Sequence, residues 1–252
     1  MAENLKTTMR RFGLIGKNIS YSFSRTHFTK KFEKEGITDC RYDNFDIPSI
    51  SEFPKIIEKT QDLSGLNVTI PYKESVIPYL DKLNGKAKAI GAVNTIKVTK
   101  KGKLIGYNTD YYGFKKSIEP LLKEHHKKAL ILGTGGASKG IAFALKKLNI
   151  SATFVSRNPS SKKEYSYENL NKTILTDHSL IINCTPLGTF PNLKECPNIP
   201  YECITNKHLL FDLIYNPTET EFLRRGKNQG ATICNGSKML HFQAEKAWKI
   251  WN

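Results

Sequence analysis

The 252-residue chain carries 39 Lys and Arg against 23 Asp and Glu, a formal net charge of +16, with 39% hydrophobic and 10% aromatic residues. This balance excludes a disordered chain. No apolar run approaches the ~20 residues that a membrane-crossing helix needs, so no membrane partner is expected.

The chain length suits one large domain or two modest ones. MAENLKTTMRR at the N-terminus has basic residues without an apolar segment behind them, which does not read as a secretory signal, and residues 1–8 form an extension with no assignable role. The first strand-like run is RFGLIG (11–16), followed by CRYDNFDI (40–47) and GLNVTI (65–70). Between them, residues 26–36 and 51–60 place apolar side chains at i, i+3, i+4 spacing and predict helices. Ser24, Ser49 and Ser51 each stand where a helix cap is wanted. Residues 94–108 have two extended runs around a Lys-Gly turn, the pattern of a β-hairpin. A helix ending near Glu124 leads to KALILG (128–133), a glycine-rich turn and a helix over 140–149. Further strands follow at SATFVSR, SLIINCT, HLLFDLI and ATICN, and KMLHFQAEKAWKIW closes the chain as a helix. Alternating strands and helices throughout predict an α/β fold with mainly parallel sheets. The first series ends near residue 109, and the second has the size and order of a Rossmann-like dinucleotide-binding domain.

Most of the basic residues are lysines spread along the whole chain. They lack the interleaved arginines and aromatics on which bases stack, so no nucleic-acid partner is expected. They read as solvated faces, and the resulting positive field also suits collection of an anionic cofactor and a carboxylate substrate. Cys40, Cys184, Cys196, Cys203 and Cys234 form neither a CxxC pair nor a ligand cluster with histidine, so no metal is expected. Their odd number and scatter predict reduced thiols in a cytoplasmic protein.

Gly133-Thr134-Gly135-Gly136-Ala137 lies between the buried strand and its helix, where glycines permit a tight turn and let a pyrophosphate reach the helix N-terminus. Ser138 takes the place of the usual third glycine. About twenty residues further on, an NAD site places an acidic residue against the ribose. This chain has Ser156, Arg157 and Asn158 there, with Lys162 and Lys163 just beyond. A guanidinium suits a 2′-phosphate, so NADP(H) is the expected cofactor. In the first series, four polar clusters fall at strand ends and turns: residues 20–24, 67–73, 91–95 and 106–110. Together they supply hydroxyls, amides, one lysine and one aspartate, an inventory suited to a polyhydroxylated acid. No catalytic-serine elbow or P-loop competes with it.

These clusters resemble the shikimate dehydrogenase family in their order and wording: Ser22-x-Ser24, NVT-x-P-x-K (67–73), GAVNT (91–95), G-x-NTD-x-x-G (106–113) and GxGGA (133–137). The likeness continues through NCTPLG (183–188), DLIYNP (212–217) with Thr220, Asn235-Gly236, and Met239-Leu240 with Gln243, and so spans residues 11–251. The resemblance implies a two-domain α/β protein: a substrate domain over 1–109 joined by a C-terminal helix at 236–252, and an NADP-binding domain over 110–235, with the active site in the cleft. It puts Ser22 and Ser24 on the carboxylate of shikimate or 3-dehydroshikimate. Thr69, Asn94, Asp110 and Gln243 would meet the ring hydroxyls, and Tyr215 would lie beside the ring. Lys73 and Asp110 would be the catalytic pair. Gly133 to Ala137 would cradle the pyrophosphate, Ser156 to Asn158 would meet the 2′-phosphate, and Leu213 and Gly236 would flank the nicotinamide. Implied, too, is the reversible NADPH-dependent step of chorismate and aromatic amino-acid biosynthesis, by a monomer or homodimer. An NAD-preferring quinate/shikimate dehydrogenase is the alternative. Tyr21 replaces a histidine common in the family, Asn235 an aspartate and Ser237-Lys238 a Leu-Gly, while Ser161 falls where a second basic phosphate ligand is usual.

Overall fold

The computed structural model describes residues 9–20, 22–162 and 164–252. The extension at 1–8, Tyr21 and Lys163 therefore lie outside the described residues. The chain divides into two compact units, one formed by residues up to Thr109 together with Ala247–Asn252, the other by Asp110–Lys246.

In the first unit the order is β1 (Arg10–Gly16), α1 (Phe23–Glu35), β2 (Cys40–Asp46), a 3-10 turn (Ile50–Glu52) running into α2 (Phe53–Lys59), β3 (Leu63–Val68), β4 (Lys82–Leu83), α3 (Gly85–Ile90), β5 (Thr95–Val98) and β6 (Leu104–Tyr107). The sheet order is β2-β1-β3-β5-β6-β4. β1 buries Phe12, Leu14 and Ile15 and pairs in parallel with both neighbours, as a central strand should. The expected hairpin is present, with β5 and β6 antiparallel and Gly102 at a φ of 75° between them. Its short connection cannot make the crossover that a parallel pair requires, so this sheet is mixed, with three parallel pairings and two antiparallel ones.

α1 buries Phe28 and Phe32, one turn apart, and stops at Gly36 in the left-handed conformation. Its N-cap is Ser22, whose Oγ accepts from the Ser24 N–H at 3.2 Å. Ser24, expected as a cap, sits inside the first turn instead. Ser49 does cap the 3-10 turn that follows it.

The second unit runs α4 (Asp110–Ile118), β7 (Lys128–Leu132), α5 (Gly136–Lys147), β8 (Ser151–Ser156), β9 (Tyr165–Ser166), α6 (Lys172–Asp177), β10 (Leu180–Asn183), β11 (Leu209–Asp212), α7 (Glu221–Asn228), β12 (Thr232–Cys234) and α8 (Ser237–Trp251). Its sheet, ordered β12-β11-β10-β7-β8-β9, is parallel throughout. β10 and β11 are buried along their whole length and β7 beyond its first residue, which explains their near-continuous apolar runs. α4 ends at Ile118 rather than near Glu124 because Pro120 cannot continue the hydrogen-bond ladder. α5 starts earlier than expected, taking its first turn from the glycine-rich segment.

α8 is divided between the units. Its residues up to Lys246 group with the second unit, and only Ala247–Asn252 group with the first. There Trp251 stacks on Phe12 at 4.9 Å and its indole N–H donates to the Ile96 carbonyl at 2.9 Å. Gly65 makes room for that indole, since a Cβ at this position would overlap the Trp251 ring.

Candidate active site

The first unit gathers its polar motifs at one edge of its sheet, where β1, β3 and β6 end and the antiparallel β5 begins. The Thr69 N–H donates to the Ile15 carbonyl at 2.9 Å, fixing the segment after β3. Tyr72 is buried and its hydroxyl donates to the Ile47 carbonyl at 2.6 Å. The carbonyl of the next residue, Lys73, accepts from the Val93 N–H at 2.7 Å, which ties the lysine to the segment before β5. Lys73 itself is half-buried. Asn94 is 3% exposed, and its Oδ1 accepts from the Thr109 N–H at 2.6 Å while its Nδ2 donates to Thr109 Oγ1 at 3.0 Å. Asn108 donates to the Ala92 carbonyl at 3.0 Å, so the chain entering Asp110 is held at two points. Ser22 and Ser24 are both half-buried at the start of α1. Ser22 Oγ accepts from the Ser24 N–H and so keeps its own hydrogen to donate.

Asp110 opens α4 and is 5% exposed, placing a carboxylate at a helix N-terminus, where the macrodipole favours negative charge. α4 packs on α8 at Gly113, where a Cβ would press on the Met239 carbonyl at 2.5 Å and on Gln243 Cβ at 3.1 Å. Gln243 thereby lies one turn from Asp110, and its Nε2 donates to the Leu240 carbonyl at 3.1 Å.

The second sheet reverses direction at β7: β8 and β9 lie to one side, β10, β11 and β12 to the other. In open α/β sheets, ligands bind at the crevice that such a switch leaves at the carboxyl ends of the strands. Gly133 stands at that point with a φ of 101°, a conformation that only glycine adopts readily. A Cβ there would also press on Thr185 Cγ2 at 3.2 Å. The N-terminus of α5 carries no side-chain cap, and nothing stands within 4 Å of the place where a Gly135 Cβ would be. Uncapped N–H groups beside open space at the end of a twelve-residue helix fit a dinucleotide pyrophosphate. Ser138, in place of the third glycine, is fully buried and turns its hydroxyl back onto the Gly135 carbonyl at 2.6 Å.

At the end of β8, Ser156 Oγ accepts from the Asn158 N–H at 3.2 Å and turns the chain, leaving Arg157 exposed. Burial pushes the Tyr167 phenol up to about 12, opposed by the Arg157 guanidinium. Further along, Glu164 accepts from the N–H and the hydroxyl of Ser160, both at 2.8 Å, and closes the loop that carries Lys162.

Sequence reasoning quoted Asp212 within a motif without giving it a role. It is fully buried at the end of β11, and its Oδ1 accepts from Asn183 Nδ2 at 3.1 Å and the Ile214 N–H at 3.0 Å. Its Oδ2 accepts from the Thr220 hydroxyl at 2.6 Å. Asn183 Oδ1 in turn accepts from the Thr185 N–H at 2.9 Å and its hydroxyl at 2.6 Å. One carboxylate thus organises the segments that carry Thr185, Leu213 and Tyr215. Burial pushes its pKa up to about 6 against the three hydrogen bonds, which favour the charged form. The signal for this role was an acidic residue ending an otherwise apolar strand, with Thr220 at the following helix cap. Gly236 meets Leu213 directly: its N–H donates to the Ile214 carbonyl at 3.0 Å, and a Cβ would overlap the Leu213 carbonyl. Asn235 donates to the Thr218 carbonyl at 2.8 Å, a bond that the family's aspartate cannot make, and accepts from the Ser237 N–H at 3.1 Å.

Every expected site residue is thus placed: Ser22, Ser24, Thr69, Lys73 and Asn94 in the first unit, and Asp110, Tyr215, Gln243 and the cofactor residues in the second. Residues 14–96 match the family model of the shikimate dehydrogenase substrate binding domain. A protein of Clostridium botulinum named shikimate dehydrogenase (NADP(+)) is 42% identical over 249 residues, covering 95% of each chain. The crystal structure of the Aquifex aeolicus shikimate dehydrogenase superposes with a TM-score of 0.85 at 33% identity, over 97% of this chain and 92% of that one. That of the Thermus thermophilus shikimate 5-dehydrogenase, in complex with NADP(H) and shikimate, gives 0.85 at 28% identity over 97% and 94%. With likeness at this level running nearly end to end, and the motif residues standing on the strand ends and helix starts described above, this chain belongs to the shikimate dehydrogenase family.

Proposed function

We propose that this chain catalyses the reversible, NADP(H)-dependent interconversion of 3-dehydroshikimate and shikimate. The observation that carries the reading is the full-length likeness to a relative named for that reaction, in a chain whose β8 ends in Ser156-Arg157 with no acidic residue. A Thermus thermophilus relative of the same fold binds NADP(H) and shikimate.

NADPH, when bound, supplies the hydride. The chain's own residues then do the rest. The α5 N-terminus and the Gly133–Ala137 turn hold the pyrophosphate, and Arg157 with Ser156 and Asn158 holds the 2′-phosphate. Ser22 and Ser24 donate hydroxyl hydrogen bonds to the substrate carboxylate. Thr69, Asn94 and Gln243 position the ring through its hydroxyls, and Tyr215 lines it. Lys73, as a cation, stabilises the oxyanion that develops at the ketone oxygen, and it is the matched residue equipped to give that oxygen a proton. Asp110 orients the lysine and accepts a hydrogen bond from a neighbouring ring hydroxyl. No disulfide joins Cys40, Cys184, Cys196, Cys203 and Cys234, in keeping with a cytoplasmic enzyme.

The test is the appearance of NADPH absorbance when the purified protein is given shikimate and NADP, with quinate as a parallel substrate. Turnover of shikimate supports the reading. No turnover of shikimate, or a clear preference for quinate, overturns it.

A further inference from the structure

The polar residues behind the substrate edge of the first unit form one buried hydrogen-bonded chain, and it begins at a residue outside every motif. Tyr42 on β2 is 4% exposed and stacks on Phe28 at 4.6 Å with their planes 12° apart. Its hydroxyl donates to Asn67 Oδ1 at 2.7 Å. Asn67 on β3 is 4% exposed, and its Nδ2 reaches the Asn94 carbonyl at 3.2 Å and Thr95 Oγ1 at 3.3 Å. Thr95, fully buried, donates to Asn94 Oδ1 at 3.1 Å, the same oxygen that accepts the Thr109 N–H.

Each hydroxyl here has one hydrogen, and each amide one acceptor side and one donor side, so the chain has a direction. Backbone groups set that direction: the Asn94 carbonyl accepts from the Asn67 NH2 and the Thr109 N–H donates to Asn94 Oδ1, while the phenol hydrogen occupies Asn67 Oδ1. Thr95 Oγ1, having accepted from that NH2, gives its own hydrogen to Asn94 Oδ1. Asn94, its Oδ1 also held by the Thr109 N–H, turns its NH2 toward Thr109 Oγ1. Without the phenol hydrogen, Asn67 Oδ1 loses its donor on the Tyr42 side while still buried. Reversing the amide gives no relief, since it would set the oxygen against the Asn94 carbonyl, so the side chain must shift instead. The Ser24 side chain bears on the same phenol, drawing its pKa down against burial, so the carboxylate-binding end of the edge meets this chain as well.

We infer that Tyr42 is a positioning residue for substrate binding: its buried hydroxyl anchors Asn67, and through it the Asn94 and Thr95 groups that align this edge for shikimate. The inference rests on the reading that this edge binds shikimate. Tyr42 touches no substrate in this role; it acts through Asn67 and Asn94.

Steady-state kinetics of Tyr42→Phe and Thr95→Val, with shikimate and NADP each varied, test it. Both substitutions keep the shape of the buried side chain and remove one hydroxyl. The expected result for each is a shikimate KM raised about ten-fold, the size of a misaligned hydrogen bond, with kcat within about two-fold and NADP KM unchanged. The double variant should be little worse than either single one, because both cut the same chain. A merely structural role would lower the active fraction, hence apparent kcat, and leave KM where it was. If Tyr42→Phe does not yield folded protein, Thr95→Val carries the test alone. Wild-type turnover with shikimate KM unmoved in the folded variants would overturn the role of Tyr42 and leave the proposed reaction standing. Absence of wild-type turnover would overturn both.

Discussion

Both sheets carry a buried polar web at the end where the motifs gather, but the two webs are built from different chemistry. In the first unit every member is neutral: Tyr42, Asn67, Asn94, Thr95 and Thr109, amides and hydroxyls that both give and accept. In the second the hub is a carboxylate, Asp212, which when ionised only accepts and draws donors from three separate segments. A neutral chain holds its members in one direction and is indifferent to pH over the ordinary range. A carboxylate hub gathers more backbone around one point, at the cost of burying a charge. The first arrangement suits an edge that must present donors and acceptors in fixed places to ring hydroxyls. The second suits a sheet whose loops must stand together around a large anionic cofactor.

The comparison predicts that substitutions along the substrate edge and its neutral web move substrate parameters, and that those at the carboxylate hub and the β8 turn move pH behaviour or cofactor parameters. The largest effect should come from Lys73→Ala. Loss of the oxyanion partner should lower kcat by on the order of 10²–10⁴ while shikimate KM changes far less, as rapid-mixing or steady-state kinetics can establish. A folded variant with near-normal kcat would remove Lys73 from the chemistry.

Next comes Asp212→Asn. The native carboxyl titrates at about 6 against an ordinary 3.8, so folding is favoured where Asp212 is protonated, and that advantage is lost as pH rises between those values. The stability of the wild type relative to the variant should therefore fall by on the order of 2–3 kcal/mol from pH 4 to pH 7. Denaturant unfolding at the two pH values measures it, and parallel curves would show that burial does not set this group's proton affinity. No such pH-dependent difference is expected between wild type and Asn67→Ser in the neutral web.

Arg157→Ala should weaken NADPH binding by roughly 1.5–3 kcal/mol, the range for a hydrogen bond to a charged group, and leave NAD binding almost untouched. Paired titrations test it. Equal losses for both cofactors would mean that Arg157 acts through general charge.

The smallest effect should come from Ser22→Ala, which serves two roles at once. Loss of the helix cap costs ~1 kcal/mol of stability, and loss of the carboxylate donor raises shikimate KM about ten-fold. Thermal melts with and without shikimate separate the two, and undiminished protection by shikimate in both Ser22→Ala and Ser24→Ala would place the carboxylate elsewhere.

Much of the proposed site is legible in the sequence, because glycine-rich turns, strand-end polar clusters and the Ser156-Arg157 pair are local signals. The parallel strands β7, β10 and β11 were legible for a related reason: a strand buried on both faces announces itself as an apolar run. What escaped was whatever depends on distant partners. Tyr42 and Asn67 are 25 residues apart, and nothing near Tyr42 marks its hydroxyl as anything but a buried phenol. Asp212 looked like a motif letter until Asn183 and Thr220 closed around it. β4 and β9, of two residues each, are too short to show a period. α8 reads as one continuous amphipathic run, and no local feature says that its last turns join a different core.

The most direct measurement is shikimate oxidation followed with NADP and with NAD side by side, over a range of each cofactor. The expected result is turnover with both NADP and shikimate required, and kcat/KM for NADP at least ten-fold above that for NAD, the factor for about 1.4 kcal/mol contributed by the 2′-phosphate. Equal or better efficiency with NAD would contradict the role given to Ser156, Arg157 and Asn158, and absence of shikimate oxidation with either cofactor would contradict the proposed reaction itself.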